Sequence, residues 1–130
     1  MYEEWSSYWP TADVEPFASF INTVQKYVAS STALSGDWGA CTRIPNDVEQ
    51  FVADLKQTAG RSIGVHGSIR LAQSLLRAGL VDELRLVITP TTVGSGQRLF
   101  GTSELQRWQL LSSDVSSSGE LLLHYRRHAG

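Results

Sequence analysis

The segment Ile63-Gly64-Val65-His66-Gly67-Ser68 is the part of this sequence best suited to chemistry. Its glycines leave backbone open to a close ligand, and the N–H groups and positive dipole end of a helix starting after Ser68 favour a phosphate. Binding of a nucleotide pyrophosphate is the activity this suggests. Glycines at strand-to-helix turns also serve packing alone, so the turn leaves both readings open. His66 offers either a proton-transferring imidazole at a strand end or an ordinary hydrogen-bonded core residue. Farther along, Gly94-Ser95-Gly96-Gln97-Arg98-Leu99-Phe100 reads as a loop over a substrate, with Arg98 available to a phosphate and Leu99-Phe100 suited to packing.

Other constellations fail on spacing. Gly94-Ser95-Gly96 lacks the third glycine of the dinucleotide fingerprint. His124 and His128 stand four apart, a metal spacing on a helix, but Leu121-Leu122-Leu123 argues for a strand there, so no metal is expected. Ser68, His66 and Asp82 lack the nucleophile elbow of a hydrolase. Tyr2, Trp5, Tyr8 and Trp9 suit either a stacking wall for a planar ring or, at their helical spacing, core packing.

The elements that must position these residues follow from periodicity. Tyr2 to Tyr8 reads as a helix stopped at Trp9-Pro10, and Pro16 to Val24 as a short helix with Phe17, Phe20, Ile21 and Val24 on one face. Lys26 to Ser31 and Cys41 to Ile44 read as strands. Asn46 is the expected N-cap of a helix, with Glu49 completing a capping box. Val48, Phe51, Val52 and Leu55 form its apolar stripe, and Gly60 marks its end. Ser62 to His66 reads as a strand. Ser68 then caps a helix that turns Leu71, Ala72, Leu75 and Leu76 inward and ends at Gly79. Leu84 to Ile88 is the next strand, with Leu84, Leu86 and Ile88 on one face. The alternation of strand and helix implies parallel pairing with right-handed crossovers. Trp108 to Val115 and Leu121 to Arg126 flank Ser116-Ser117-Ser118-Gly119 and predict an antiparallel hairpin at the sheet's edge. The class is α/β, with a mostly parallel sheet and an antiparallel end.

Composition narrows the function. The 130 residues are read as one domain, 1–130. Eleven Lys and Arg against thirteen Asp and Glu form no basic run that would track a phosphate backbone, which excludes nucleic acid as a partner. A single cysteine, Cys41, rules out an internal disulfide and suits a reducing, cytoplasmic setting. The acidic, aromatic start is unlike a signal peptide, and no apolar run is long enough to span a bilayer.

Several of these stretches together resemble a known family. They are His66-Gly67-Ser68-Ile69-Arg70-Leu71; Leu75-Leu76-Arg77-Ala78-Gly79-Leu80-Val81-Asp82-Glu83-Leu84; Pro90; and Gly94-Ser95-Gly96-Gln97-Arg98-Leu99-Phe100. The sequence is similar to the C-terminal reductase domain of riboflavin biosynthesis proteins, the RibD C-terminal type, and to the dihydrofolate-reductase-like proteins of that group. Tyr2-Glu3, Trp9-Pro10, Phe17 to Asn22, Lys26 to Val28, Ser30-Ser31-Thr32 and Asp37-Trp38-Gly39 also fall where that family places similar residues.

The resemblance implies a three-layer α/β/α dihydrofolate-reductase-like fold and NADPH as cofactor. It assigns Gly67, Ser68, Ile69 and Arg70 to the cofactor's pyrophosphate, and Ser30, Ser31 and Thr32 to its adenosine side and 2′-phosphate. Those hydroxyls equally suit bonds to their own backbone. His66 becomes the catalytic-site position beside nicotinamide and substrate, more a contact than an acid. Hydride would pass to a small heterocyclic or ribosyl substrate, an aminopyrimidine whose ribosyl group is reduced to ribityl or a dihydropterin. No H-x-E or P-C-x-x-C deaminase signature accompanies it. The alternative is a non-catalytic remnant that binds nucleotide or dimerises. The family also places strands, a Gly-Arg pair and an acidic substrate-binding position before the position of Met1, so the chain reads as N-terminally truncated, with a sheet gap that a homodimer or strand exchange would cover.

Overall fold

The computed structural model describes residues 1–101 and 104–129. They fall into two units, Met1–Ser68 and Ile69–Gly130.

The first unit begins with helix α1 (Tyr2–Tyr8), which runs into a single 3-10 turn, Trp9–Thr11, where Pro10 ends it. Helix α2 (Phe17–Thr23) follows, burying Ala18 and Ile21. Strands β1 (Lys26–Ala29) and β2 (Cys41–Ile44) pair in parallel, with Lys26 beside Cys41 and Ala29 beside Ile44. Helix α3 (Val48–Gln57) lays its half-buried stripe inward, and the Tyr27 and Phe51 rings meet at 5.2 Å. The unit's core is small: Ala18, Ile21, Trp38 and Ile44 are its buried apolar residues. Asn22 joins its parts, its amide nitrogen donating to the Trp9 carbonyl at 2.8 Å and its oxygen accepting from the Trp38 indole at 2.8 Å.

Four expectations change here. Strand β1 stops at Ala29, because the Ser30 hydroxyl donates to the Thr32 carbonyl at 2.9 Å and draws the chain into a turn. Helix α3 takes Asp47 as N-cap instead of Asn46, in left-handed backbone at φ 48°, and no side chain caps it. It also ends before Gly60, where the Thr58 hydroxyl donates to the Leu55 carbonyl at 2.7 Å. The predicted strand Ser62–His66 does not form: residues 61–68 are exposed, and no ladder partner lies beside them among the described residues. An extended segment becomes a strand only when another backbone takes its N–H and C=O groups, and Gly64 weakens this one further.

In the second unit, helix α4 (Ile69–Arg77) buries Leu75 and Leu76. Each such side chain contributes roughly 1.5–3 kcal/mol. Gly79 closes the helix as expected, at φ 71°. Its N–H donates to the Leu76 carbonyl at 3.2 Å and the Leu80 N–H to the Leu75 carbonyl at 3.0 Å, the bond pair of a Schellman motif. Strands β3 (Glu83–Ile88), β4 (Trp108–Val115) and β5 (Leu121–Arg127) form an antiparallel sheet in the order β3-β5-β4. The hairpin is as predicted, with Gly119 at φ 92° in its turn and a bulge at Leu111. Strand β3 pairs antiparallel with β5, so among the described residues the parallel pairing of this mixed α/β chain is confined to β1 and β2.

Candidate functional site

The glycine turn is the centre of the candidate site. Gly67 takes φ 100°, a backbone conformation that side chains rarely adopt, so glycine is required there on conformation alone. Its open side is not empty: a Cβ built on Gly67 would run into the Met1 Sδ. A flexible thioether therefore rests where a ligand would approach the backbone. His66 lies against the same end of the unit, its ring 6.3 Å from Trp5 and 6.0 Å from Phe17. Trp5, Trp9 and Phe17 in turn pack edge to face, with Trp9 and Phe17 at 4.9 Å. The aromatic residues of α1 are thus packing partners first, and His66 is an exposed ring laid on their edge.

Ser30 and Thr32 are tied to each other. Ser30 donates to the Thr32 carbonyl, and the Thr32 N–H donates back to the Ser30 hydroxyl at 3.3 Å. Ser31 is exposed beside them. Sequence reasoning missed their neighbour: the Arg43 guanidinium of β2 donates to the carbonyls of Ser30 at 3.2 Å and Thr32 at 3.5 Å. The turn therefore carries a cation as well as hydroxyls. The parallel register that sets Val28 beside Arg43 brings this about, and it could have been found only by pairing the two predicted strands.

Ile69 and Arg70 open α4 in the second unit. On the same helix, Gln73 donates to the Arg98 carbonyl at 2.9 Å, tying the backbone of the Gly94–Phe100 loop to α4. The Arg98 side chain is exposed.

A second cluster was also missed. Cys41 opens β2, where Lys26 is the facing residue on β1 and the Tyr2 phenol of α1 lies nearby. Burial pushes the thiol up, and the Lys26 ammonium only partly offsets that. Burial likewise pushes the Tyr2 phenol up, reinforced by Cys41, and lowers the Lys26 ammonium. The cluster is a protected thiol, not an activated one.

Among the described residues, no group of three or more His, Cys, Asp or Glu is placed to hold a metal, and no helix is long and apolar enough to cross a membrane.

Residues 13–122 match the family model of the RibD C-terminal domain. The chain belongs to that family. It is 31% identical over 106 residues to the uncharacterized protein YyaP of Bacillus subtilis (strain 168), covering 81% of this chain and 56% of YyaP. Among solved structures it resembles a Shewanella sp. PV-4 protein assigned to riboflavin biosynthesis, at TM-score 0.63 and 21% identity, over 79% of this chain and 60% of that one. A pyrimidine reductase-like protein from Corynebacterium diphtheriae aligns at TM-score 0.56 and 20% identity, over 73% of this chain and 41% of that one. These likenesses establish a RibD C-terminal, dihydrofolate-reductase-like fold. This RibD C-terminal chain spans only about half the length of such relatives, from 41% to 60%.

Proposed function

We propose that this chain holds NADPH for a reductase that passes a hydride to a small heterocyclic or ribosyl substrate, a pyrimidine of the riboflavin type or a pterin, in a cytoplasmic setting. Family membership supports the reaction class. The single observation that carries the cofactor reading is Gly67, whose φ of 100° and missing side chain leave bare backbone inside the matched segment. The consecutive residues Gly67, Ser68, Ile69 and Arg70 would hold the pyrophosphate, backbone N–H groups donating to its oxygens. Met1 would have to swing aside first, which an unbranched thioether does readily.

Ser30, Ser31 and Thr32 would meet the 2′-phosphate, and Arg43 joins them in this reading. A guanidinium already satisfied by two carbonyls can turn to a phosphate, for which its planar fork is better matched. When bound, NADPH supplies the hydride; the protein supplies position and electrostatics. His66 would border the reacting rings as a contact, its orientation set by Trp5 and Phe17. Arg98 would take a phosphate carried by the substrate.

The alternative, a non-catalytic nucleotide-binding or dimerising remnant, is favoured by one observation, the Met1 side chain resting on Gly67. Titrating the chain with NADPH while following cofactor fluorescence tests the first reading. Saturable binding below about 1 mM is expected, and its absence there would sink the cofactor assignment. Binding without NADPH oxidation in the presence of pyrimidine and pterin substrates would select the remnant.

A further inference from the structure

The C-terminal end of α4 borders a cleft of about 470 Å³ that the cofactor reading does not use. Its lining comes from the last turn of α4 (Arg77), the approach to β4 (Glu104, Gln106 and Arg107) and the end of β5 (Arg127 and His128). Three guanidiniums and an imidazole thus meet a single carboxylate. The arginines are far apart along the chain, so no basic run announces them in the sequence.

Backbone pairing assembles the cleft. The His128 N–H donates to the Arg107 carbonyl at 2.9 Å, one step beyond the pairing of Trp108 with Arg127. Arg127 lies 5.4 Å from the centroid of the Trp108 ring and reaches back to α4, donating from Nε to the Val81 carbonyl at 3.1 Å and from Nη2 to the Leu76 carbonyl at 3.2 Å. The Gln106 amide donates to the same Leu76 carbonyl at 2.9 Å. A helix C-terminus would oppose an anion, but here two donors, one of them cationic, already offset it. Arg127 is therefore held in place with only two of its five N–H groups engaged by those carbonyls. The side chains of Arg77, Arg107 and His128 make no ion pair or hydrogen bond among the described residues, and both arginines are exposed.

We infer that this cleft binds the phosphate monoester of a small polar molecule, a sugar phosphate by class. Arg77 and Arg107 take the phosphate oxygens, Arg127 forms the fixed wall behind them, and His128 adds a further donor. Charge supports the class: three arginines less Glu104 leave a formal +2, which matches the roughly −1.5 to −2 that a phosphate monoester carries near neutral pH. Guanidinium forks suit phosphate oxygens better than a point charge does. Size supports the ester: the volume falls in the range of small-molecule sites and leaves room beyond a bare phosphate. The inference is independent of the cofactor reading. Ile69 and Arg70 open α4, and at about 1.5 Å of rise per residue Arg77 stands roughly 10 Å farther along the helix.

Calorimetric titration of the whole chain at constant ionic strength tests it, with glucose 6-phosphate, inorganic phosphate and glucose as probes. Glucose 6-phosphate should saturate one site at about 1 mM or tighter, inorganic phosphate should bind more weakly, and glucose should not bind. Arg77→Gln and Arg107→Gln should each weaken glucose 6-phosphate at least about tenfold. Arg85→Gln removes the same charge from an exposed position on β3 and should weaken it less than about threefold. In the unsubstituted chain, the proton resonances of the His128 ring should shift on titration while those of His66 stay in place, a readout that does not depend on how the arginine variants fold. Absence of saturable binding overturns the inference. So does a loss in Arg85→Gln as large as in the cleft variants, inorganic phosphate or glucose binding as tightly as the ester, or a titration that moves His66 and leaves His128 unchanged.

Discussion

The Lys26 ammonium sits 4.7 Å from the centroid of the Trp38 ring and donates to the carbonyls of Ile21 and Val24, both at 3.0 Å. A lysine thus closes the C-terminal end of α2 from the first position of β1, at 9% exposure. The cation favours both the helix end and the indole face.

Lys26→Met keeps the length of the side chain but leaves two carbonyls without their donor. A loss of about 1–3 kcal/mol is expected. Urea unfolding measures it, and Lys26→Arg should recover part of the loss if charge is what matters. Equal losses for Met and Arg would assign the effect to packing.

Cys41 follows from the same cluster. Because burial holds its thiol above the ordinary thiol value, more strongly than Lys26 lowers it, alkylation in the folded chain should be slow. Its rate should rise with pH through a midpoint above about 8.5. Lys26→Met removes the lowering charge and should move that midpoint further up. The sign for stability is the same: a raised acid keeps its contribution below the unfolded value and loses it as pH climbs through the folded one. A midpoint at or below that of a free thiol would contradict this placement.

How much of this was legible in the sequence depends on the range of the interaction. The Gly79 cap, the serine turn between β4 and β5, and the apolar stripes of α3 and α4 depend on residues within a few positions of one another, and they appear where periodicity put them. Cys41 and Arg43 gain their partners only when β2 lies beside β1, at separations of 15 and 13 residues from Lys26 and Ser30, so neither neighbour shows in the flanking sequence. Ser62–His66 failed for a related reason: alternation signals a strand, but only a second backbone makes one. Among the proposed site residues, the special backbone of Gly67 was legible and the Met1 side chain on it was not.

Gly79→Ala tests the local rule. The position needs φ 71°, and a Cβ there would meet only the Arg127 side chain, at an ordinary 3.7 Å. The cost is therefore conformational, about 1–2 kcal/mol, and Gly79→Asn should cost less because asparagine tolerates left-handed backbone. Denaturant midpoints of the three proteins give the order; a larger loss for Asn than for Ala would refute it.

Glu83 gives a pH dependence. Its carboxylate accepts from His124 at 2.9 Å and from Arg126 at 3.5 Å, with Arg85 at 3.9 Å, and the His124 bond is the main reason it is held below the ordinary carboxylate value. A depressed acid contributes stability above its unfolded value, about 4.3, and loses it as pH falls through the folded value. The difference in urea midpoint between wild type and Glu83→Gln should be present at neutral pH, vanish below that range, and shrink in high salt because the groups are exposed. A difference that grows on acidification would reverse the assignment.

Gly67 joins the fold to the proposed cofactor. Gly67→Ala meets two obstacles, the φ of 100° and the Met1 Sδ, and only the second can yield by rotation of a side chain. The alanine must therefore strain the turn whether or not Met1 moves, and the bare backbone offered to a pyrophosphate is lost with it. NADPH affinity should fall at least about tenfold. Gly60→Ala is the control, since that glycine has open space around it and no unusual φ. Fluorescence titration of both variants, with circular dichroism to establish that each is folded, decides the matter: if folded Gly67→Ala binds NADPH as tightly as Gly60→Ala, the cofactor does not sit on this turn.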